Sequence, residues 1–242
     1  MDEPFELPKL QGEPGEDGWT EEVSRYQIHP RPKPKFKTVL EAHALFDPPG
    51  TPGEATVTTR VCPPQEGEVV LDLKVELEIG KIRQVDEMTC IWKGGLISDR
   101  LMRTVGEGRR KEINYGLGPY DLPATTYPEV LIPFLMRGQP HDKKRRALYA
   151  WTSDRFVARV YYESRGDHTI EVPAGKIETT EVWMYPDLND WVAMGKALTR
   201  LAKPLLPRYE MYFEKEAPHR LVRFEGSFGP PGAPEMIIEL SG

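Results

Sequence analysis

Apolar and polar residues alternate without a break from Leu71 to Ile79, after Val69 and Val70. Val69, Leu71, Leu73, Val75, Leu77 and Ile79 point one way, and Asp72, Lys74, Glu76 and Glu78 the other. A sheet with one dry face and one wet face requires this period of two. Ala55-Val57-Thr59-Val61 makes a shorter strand before it, and residues 81–92 follow Gly80 as a hairpin partner would. The same rhythm predicts strands over 96–104, 111–115, 147–152, 155–163, 168–173, 176–185, 208–214, 219–225 and 235–240. Phe156, Ala158, Val160 and Tyr162 share a face of one of them, and a Gly229-Pro230-Pro231-Gly232 turn joins the last two.

Two stretches break the alternation. Residues 128–137 predict a short, bent helix, with Pro128 in its first turn, Pro133 as the kink and Gly138 as the stop. Residues 188–203 predict a long one: Leu188, Trp191, Val192, Gly195, Leu198 and Ala202 form one stripe, Asp187 or Asn189 can cap it, and Pro204 and Pro207 end it. Residues 1–35 are rich in Pro, Gly and Glu and read as an extended arm, loose or draped over the body, with Trp19, Tyr26 and Ile28 as anchors. Residues 36–46 fit strand or helix equally, and residues 47–53 are a break. The expected division is therefore an arm over 1–52 and a barrel-like domain over 53–242.

The fold class expected is mainly β (α+β): a curled antiparallel sheet of about ten strands with one long and one short helix. A long, twisted sheet tends to curl or close, which limits exposed edges. A half-barrel around a helical plug and a lipocalin-like barrel both meet that requirement. A two-sheet sandwich is the alternative and would leave less internal volume.

Charge removes one class of function. The 242-residue chain carries a formal net charge of -6, whereas a general nucleic-acid binder needs a basic face. Arg109-Arg110-Lys111 and Lys143-Lys144-Arg145-Arg146 read as solvated loops. The two cysteines, Cys62 and Cys90, cannot close a four-ligand zinc site alone; they would form one bridge if their strands adjoin, or stay as buried thiols. His29, His43, His141, His168 and His219 show no metal-ligand spacing, and no phosphate-cradling loop or GxSxG elbow is present, so neither metal nor cofactor is expected. No run of 18 apolar residues predicts a membrane span. Met1-Asp2-Glu3-Pro4 opens no signal peptide, which predicts a cytoplasmic protein, or a periplasmic one if an export signal has been removed.

Three groups of residues are candidates for chemistry. Trp92, Trp151, Tyr162, Trp183, Tyr209 and Tyr212 lie on predicted strands with Phe213; they either line a cavity for a mostly apolar ligand or fill the core. Asp187 and Asp190 near the helix 188–203 are a candidate acid–base pair, or plain capping residues. In the strand 219–225, His219, Leu221, Arg223 and Glu225 share a face. Turned inward, Arg223 would hold a carboxylate or phosphate head group with Glu225 balancing it; turned outward, the row is a surface ion pair.

The stretch Ile170-Glu171-Val172-Pro173-Ala174-Gly175-Lys176-Ile177-Glu178-Thr179-Thr180-Glu181-Val182 resembles the central hairpin of a bacterial domain family of unknown function. Gly53-Glu54-Ala55-Thr56-Val57 resembles its opening strand, and Leu131 to Arg137 its short helix. The likeness spans residues 53–240. It implies the half-barrel of the lipoprotein carriers LolA and LolB and an apolar-ligand cavity. Residues 186–206 look like an insertion, and the export signal usual in that family is missing.

The expected function is non-covalent binding of a hydrophobic or amphipathic small molecule, lipid, polyketide or terpenoid-like, with Arg223, Tyr162 and Tyr212 orienting its head. One alternative is a cofactor-independent cyclase or isomerase using Asp187, Asp190, His219 or Glu225 in the same cavity. The other is an interaction scaffold whose arm docks a protein partner.

Overall fold

The structure is a computed structural model that describes residues 4–31, 51–106, 109–114, 123–153, 156–187, 208–227 and 235–242. Its strands are β1 (Thr20–Pro30), β2 (Gly53–Val61), β3 (Val69–Ile79), β4 (Ile82–Trp92), β5 (Leu96–Val105), β6 (Arg109–Asn114), β7 (Thr126–Pro128), β8 (Arg146–Ser153), β9 (Phe156–Val172), β10 (Gly175–Pro186), β11 (Tyr209–Glu214), β12 (Leu221–Ser227) and β13 (Glu235–Leu240). One helix, α1 (Ile132–Met136), lies between β7 and β8. All thirteen strands form a single sheet in the order β6-β5-β4-β3-β2-β1-β13-β12-β11-β10-β9-β8-β7. Every ladder is antiparallel except β7 with β8.

The sheet curls until β7 at one end reaches β4 near the other. β4 stands third in the order and β7 thirteenth, about 48 Å apart in a flat sheet at ~4.8 Å per strand. Yet the Trp92 ring of β4 stacks on the Tyr127 ring of β7 with centroids 5.9 Å apart. One apolar core therefore joins Leu71, Leu73 and Met88 on one side of the sheet to Leu148, Val160, Val182 and Met211 on the other. A second cluster closes the other end, where Val172, Ile170 and Ile177 of the β9–β10 hairpin meet Tyr26, Ile28, Leu77 and Ile79.

Four findings revise the expected elements. The described residues form thirteen strands, where about ten were expected. The expected arm contributes β1, which pairs with β2 on one side and β13 on the other and so joins the two halves of the sheet. Its Tyr26 and Ile28 are buried, as anchors should be, but as part of the wall. The expected helix over 128–137 is shorter: Pro128 ends β7, and Pro133 sits in the first turn of α1, where its missing N–H costs nothing. Ile132, Phe134, Leu135 and Met136 are all buried, so α1 plugs the curl. The strands expected at 155–163 and 168–173 are one, β9, bent where the β9–β10 register slips by one residue beside Gly166, whose φ is +136°. A glycine tolerates that backbone, and a bulge there sharpens the local twist. The helix expected over 188–203, with Asp190, lies outside the described residues, as does the segment 36–46.

Candidate functional site

The concave side of the curl carries most of the chemistry-bearing groups of the described interior. On β4, Asp86, Met88, Cys90 and Trp92 alternate inward and are buried. On β5, Asp99 and Leu101 do the same. Cys90 and Asp99 are direct cross-strand partners.

Tyr127 is fully buried at the centre of an aromatic cluster. One face stacks on Trp92; Phe5 stacks on it at 5.0 Å and meets Tyr162 edge-on at 5.9 Å. The Tyr127 hydroxyl accepts the Phe5 N–H at 2.7 Å, and burial raises its pKa although that hydrogen bond opposes the shift. Offset and edge-on pairs of this kind add to area burial and leave a polar tip for a partner.

Phe5 belongs to an extended segment, Pro4–Leu10, that forms no ladder with the sheet. Leu7 and Leu10 pack on the same core. The segment passes over the β4–β5 turn, where a Cβ on Gly95 would lie 3.4 Å from Pro4, and over the end of α1, where a Cβ on Gly138 would lie 3.3 Å from the Glu6 carbonyl. The segment thus covers the aromatic cluster with Phe5, Leu7 and Leu10.

On β5, across from Cys90, is an acid with no counter-ion among the described residues. The Cys90 thiol faces Asp99 Oδ1 at 3.6 Å, while Asp99 Oδ2 is buried with no hydrogen-bond partner among the described residues. Burial pushes the Asp99 pKa up to about 7, outweighing the opposing hydrogen bonds from Cys90 and the Arg100 backbone. Burial, and then the charge of Asp99, raise the Cys90 pKa, so this thiol is held protonated. On the same two strands Arg103 binds both oxygens of Asp86 at 2.8 Å. Burial raises the pKa of Glu129, against the pull of Arg103.

The residues expected to touch a ligand divide between the two faces of the sheet. Trp92, Trp151, Tyr162 and Tyr209 are on the inner side with the core. Trp151 is buried on β8, and Tyr209 stacks on Phe224 at 5.8 Å. Trp183, Tyr212 and Arg223 lie on the outer face. The guanidinium groups of Arg165 and Arg208 lie 4.2 and 3.7 Å from the centre of the Trp183 ring, whose N–H donates to Glu181. The Tyr212 hydroxyl reaches Glu181 at 3.4 Å, and burial followed by the nearby carboxylates raises its pKa.

Of the two placements open for the Arg223 row, the register gives the outward one, so Arg223 is not a ligand-facing residue. Val222 is fully buried and Phe224 packs on the core, so Arg223 and Glu225 face outward and pair at 2.7 Å, with Glu239 at 3.2 Å from Arg223. Arg31 adds bonds to Glu210, Glu225 and Glu235 at 3.4, 3.3 and 3.0 Å.

Of the expected acid–base residues, Asp190 lies outside the described residues, and Asp187, His219 and Glu225 have separate partners. Asp187 is buried at the end of β10, where it accepts from the Tyr161 hydroxyl at 2.6 Å and lies 3.7 Å from Arg159. His219 is at the β11–β12 turn, its Nδ1 2.9 Å from the Glu214 carbonyl. Cys62 and Cys90 are both free thiols. Among the described residues no cluster of His, Cys, Asp or Glu is arranged to hold a metal, and no helix is long and apolar enough to cross a membrane.

Sequence reasoning missed Phe5, Tyr127 and Asp99. Asp99 left a signal: it is in phase with Leu101 on the buried register of β5, where a charge is out of place.

No family model matches this chain, and no curated protein does. Three solved structures are similar in shape. One is the β-barrel-like protein of the domain of unknown function DUF1849 from Brucella abortus, at 10% identity over 90% of this chain and 94% of that one, with a TM-score of 0.40. Another, provisionally named a lipoprotein, is from Parabacteroides distasonis, at 10% identity over 100% of this chain and 99% of that one, with a TM-score of 0.37. The third, from Bacteroides fragilis, is provisionally named an exported protein with a YmcC-like fold, at 10% identity over 99% of this chain and 98% of that one, with a TM-score of 0.34.

Proposed function

We propose that the interior of the curled sheet binds a hydrophobic or amphipathic small molecule, lipid, polyketide or terpenoid-like, whose body takes the place of the Pro4–Leu10 segment beside Tyr127. The observation that carries this reading is the seat of Phe5. Its ring lies between Tyr127 and Tyr162, yet its segment is tied down by few backbone bonds, chiefly Phe5 N–H to Tyr127 and Gln11 N–H to Glu22 at 3.0 Å. Burying a phenylalanine side chain is worth about 1.5–3 kcal/mol. A ligand with a larger apolar body would displace it and recover more, because the aromatic walls remain in place.

Native mass spectrometry of the protein purified from its own source tests the reading, together with Nile red titration of the full chain and of Phe5→Ala. We expect a reproducible apolar adduct and tighter dye binding by Phe5→Ala. Absence of any adduct, with no dye binding by either protein, overturns the proposal.

One observation favours a second reading. Asp99, with its pKa raised to about 7, is the sort of group a cofactor-independent isomerase or cyclase would use as acid and base. Loss of turnover in Asp99→Asn with substrate affinity retained would identify such an enzyme.

A further inference from the structure

We propose that the polar end of the molecule held in this interior is a protonated amine and that Asp99 Oδ2 receives it; this rests on the reading of the interior as a ligand site. Asp99 is only 5% exposed, so the oxygen cannot rely on water. A buried acceptor with no donor is costly, and such groups in native proteins usually await a partner.

The identity of that partner follows from charge. The thiol of Cys90 can give Asp99 one weak hydrogen bond, and it goes to the other oxygen. Arg103, on the same strand and the inner face, has both arms of its fork on Asp86. Among the described residues, what surrounds Asp99 is therefore short of one positive charge. A carboxylate-headed ligand would place like charges together in a dry space. An alcohol would supply a hydrogen bond without the charge. An ammonium supplies both, and charge-assisted hydrogen bonds are the stronger ones.

The walls suit the same head group. Trp92 is two residues from Cys90 on the same face of β4, and its ring is stacked on Tyr127. Aromatic faces attract cations through their quadrupole, and Trp does so best. An amphipathic amine would therefore lay its apolar body along the position of Phe5 and its head towards Asp99.

The test compares dodecylamine, dodecanol and dodecanoate, each below its micelle concentration, by calorimetry with the full chain and with Asp99→Asn at pH 8. At that pH Asp99 is ionised and the alkylammonium is still protonated, as lysine is with an ordinary pKa of about 10.4. We expect dodecylamine to bind about tenfold or more tightly than dodecanol, and dodecanoate more weakly than either. Asp99→Asn should erase the advantage of the amine over dodecanol. Equal affinity for amine and alcohol, or an advantage that survives in Asp99→Asn, overturns the amine proposal alone. Binding of none of the three overturns the ligand reading with it. Asn is isosteric with Asp and removes a buried charge, so the variant should fold; Asp99→Leu is the second variant and should give the same loss of preference.

Discussion

The guanidinium of Arg137, just past the last turn of α1, grips the carboxylate of Glu22 on β1 through two hydrogen bonds of 2.7 and 3.0 Å. Both side chains are under 10% exposed, at 6% and 9%. Arg137 also donates from Nε to the Pro218 carbonyl at 3.2 Å. The plug, the seam strand and the β11–β12 turn thus share one ion pair. Removing one partner leaves the other charge buried. Arg137→Ala should destabilise the protein by about 3–5 kcal/mol in urea unfolding. Arg137→Met with Glu22→Leu should recover most of that loss, and a double variant no better than the single would show that the pair does more than neutralise itself.

Asp99 should make stability fall as pH rises. Its folded pKa, about 7, is above its ordinary 3.8, so between these values the folded state holds a proton that the unfolded state has lost. The stability it contributes is complete below the ordinary value and is lost as pH climbs through 7. At about 1.4 kcal/mol per pKa unit the loss is roughly 4 kcal/mol. Cys90 faces Asp99 from β4 and is uncharged throughout. Glu129, raised by burial, acts in the same sense as Asp99, so the variant rather than the raw pH profile isolates the effect. Chemical denaturation of Asp99→Asn should show higher stability than the parent at pH 8 and a flatter profile from pH 4 to 7. An unchanged profile would place the titration elsewhere.

The Pro4–Leu10 segment should open on its own. A buried Phe→Ala change usually costs about 3–5 kcal/mol of global stability. Phe5→Ala should cost much less, because a segment outside the ladders can detach without unfolding the sheet. Hydrogen exchange gives the direct measurement: the Phe5 amide should exchange far faster than those of Tyr26 and Ile28 in β1. Equal protection would make the segment part of the cooperative core.

Gly226 is a packing requirement of β12. A Cβ there would fall 2.6 Å from Tyr209 Cδ1 and 3.3 Å from the Phe224 ring. Gly226→Ala should therefore push the Tyr209–Phe224 stack apart and cost about 1–3 kcal/mol, read as a lower melting temperature. Tyr209→Leu in the same chain should relieve part of that cost by removing the ring.

The strands that alternate cleanly, such as β3 with Leu71, Leu73, Leu77 and Ile79 buried, were legible because each residue reports its own face. β1 was not, because half of its inner row is polar: Glu22 and Ser24 turn inward with Tyr26 and Ile28, Glu22 pairing with Arg137 just past α1 and Ser24 with Tyr26. β7 has only three residues, too few for a period. The bend of β9 at Gly166 divided one strand into two on paper. For the site, Trp92, Tyr162 and Tyr209 could be seen as core-facing aromatics. The outward turn of Trp183, Tyr212 and Arg223 depends on the pairing of β10 to β13, which no local pattern encodes. Phe5 gave no signal, since its neighbours carry no periodicity.

The place of β1 between β2 and β13 has a consequence for biosynthesis. Arg31 and Glu235, which bond across that junction, are 204 residues apart in sequence. Early-made β1 must therefore wait on one flank until the distant β13 emerges from the ribosome, and high contact order of this kind slows folding. The nascent chain carries an open strand edge through most of its synthesis, so this protein should depend on holding chaperones in its host far more than its finished, ring-like wall suggests.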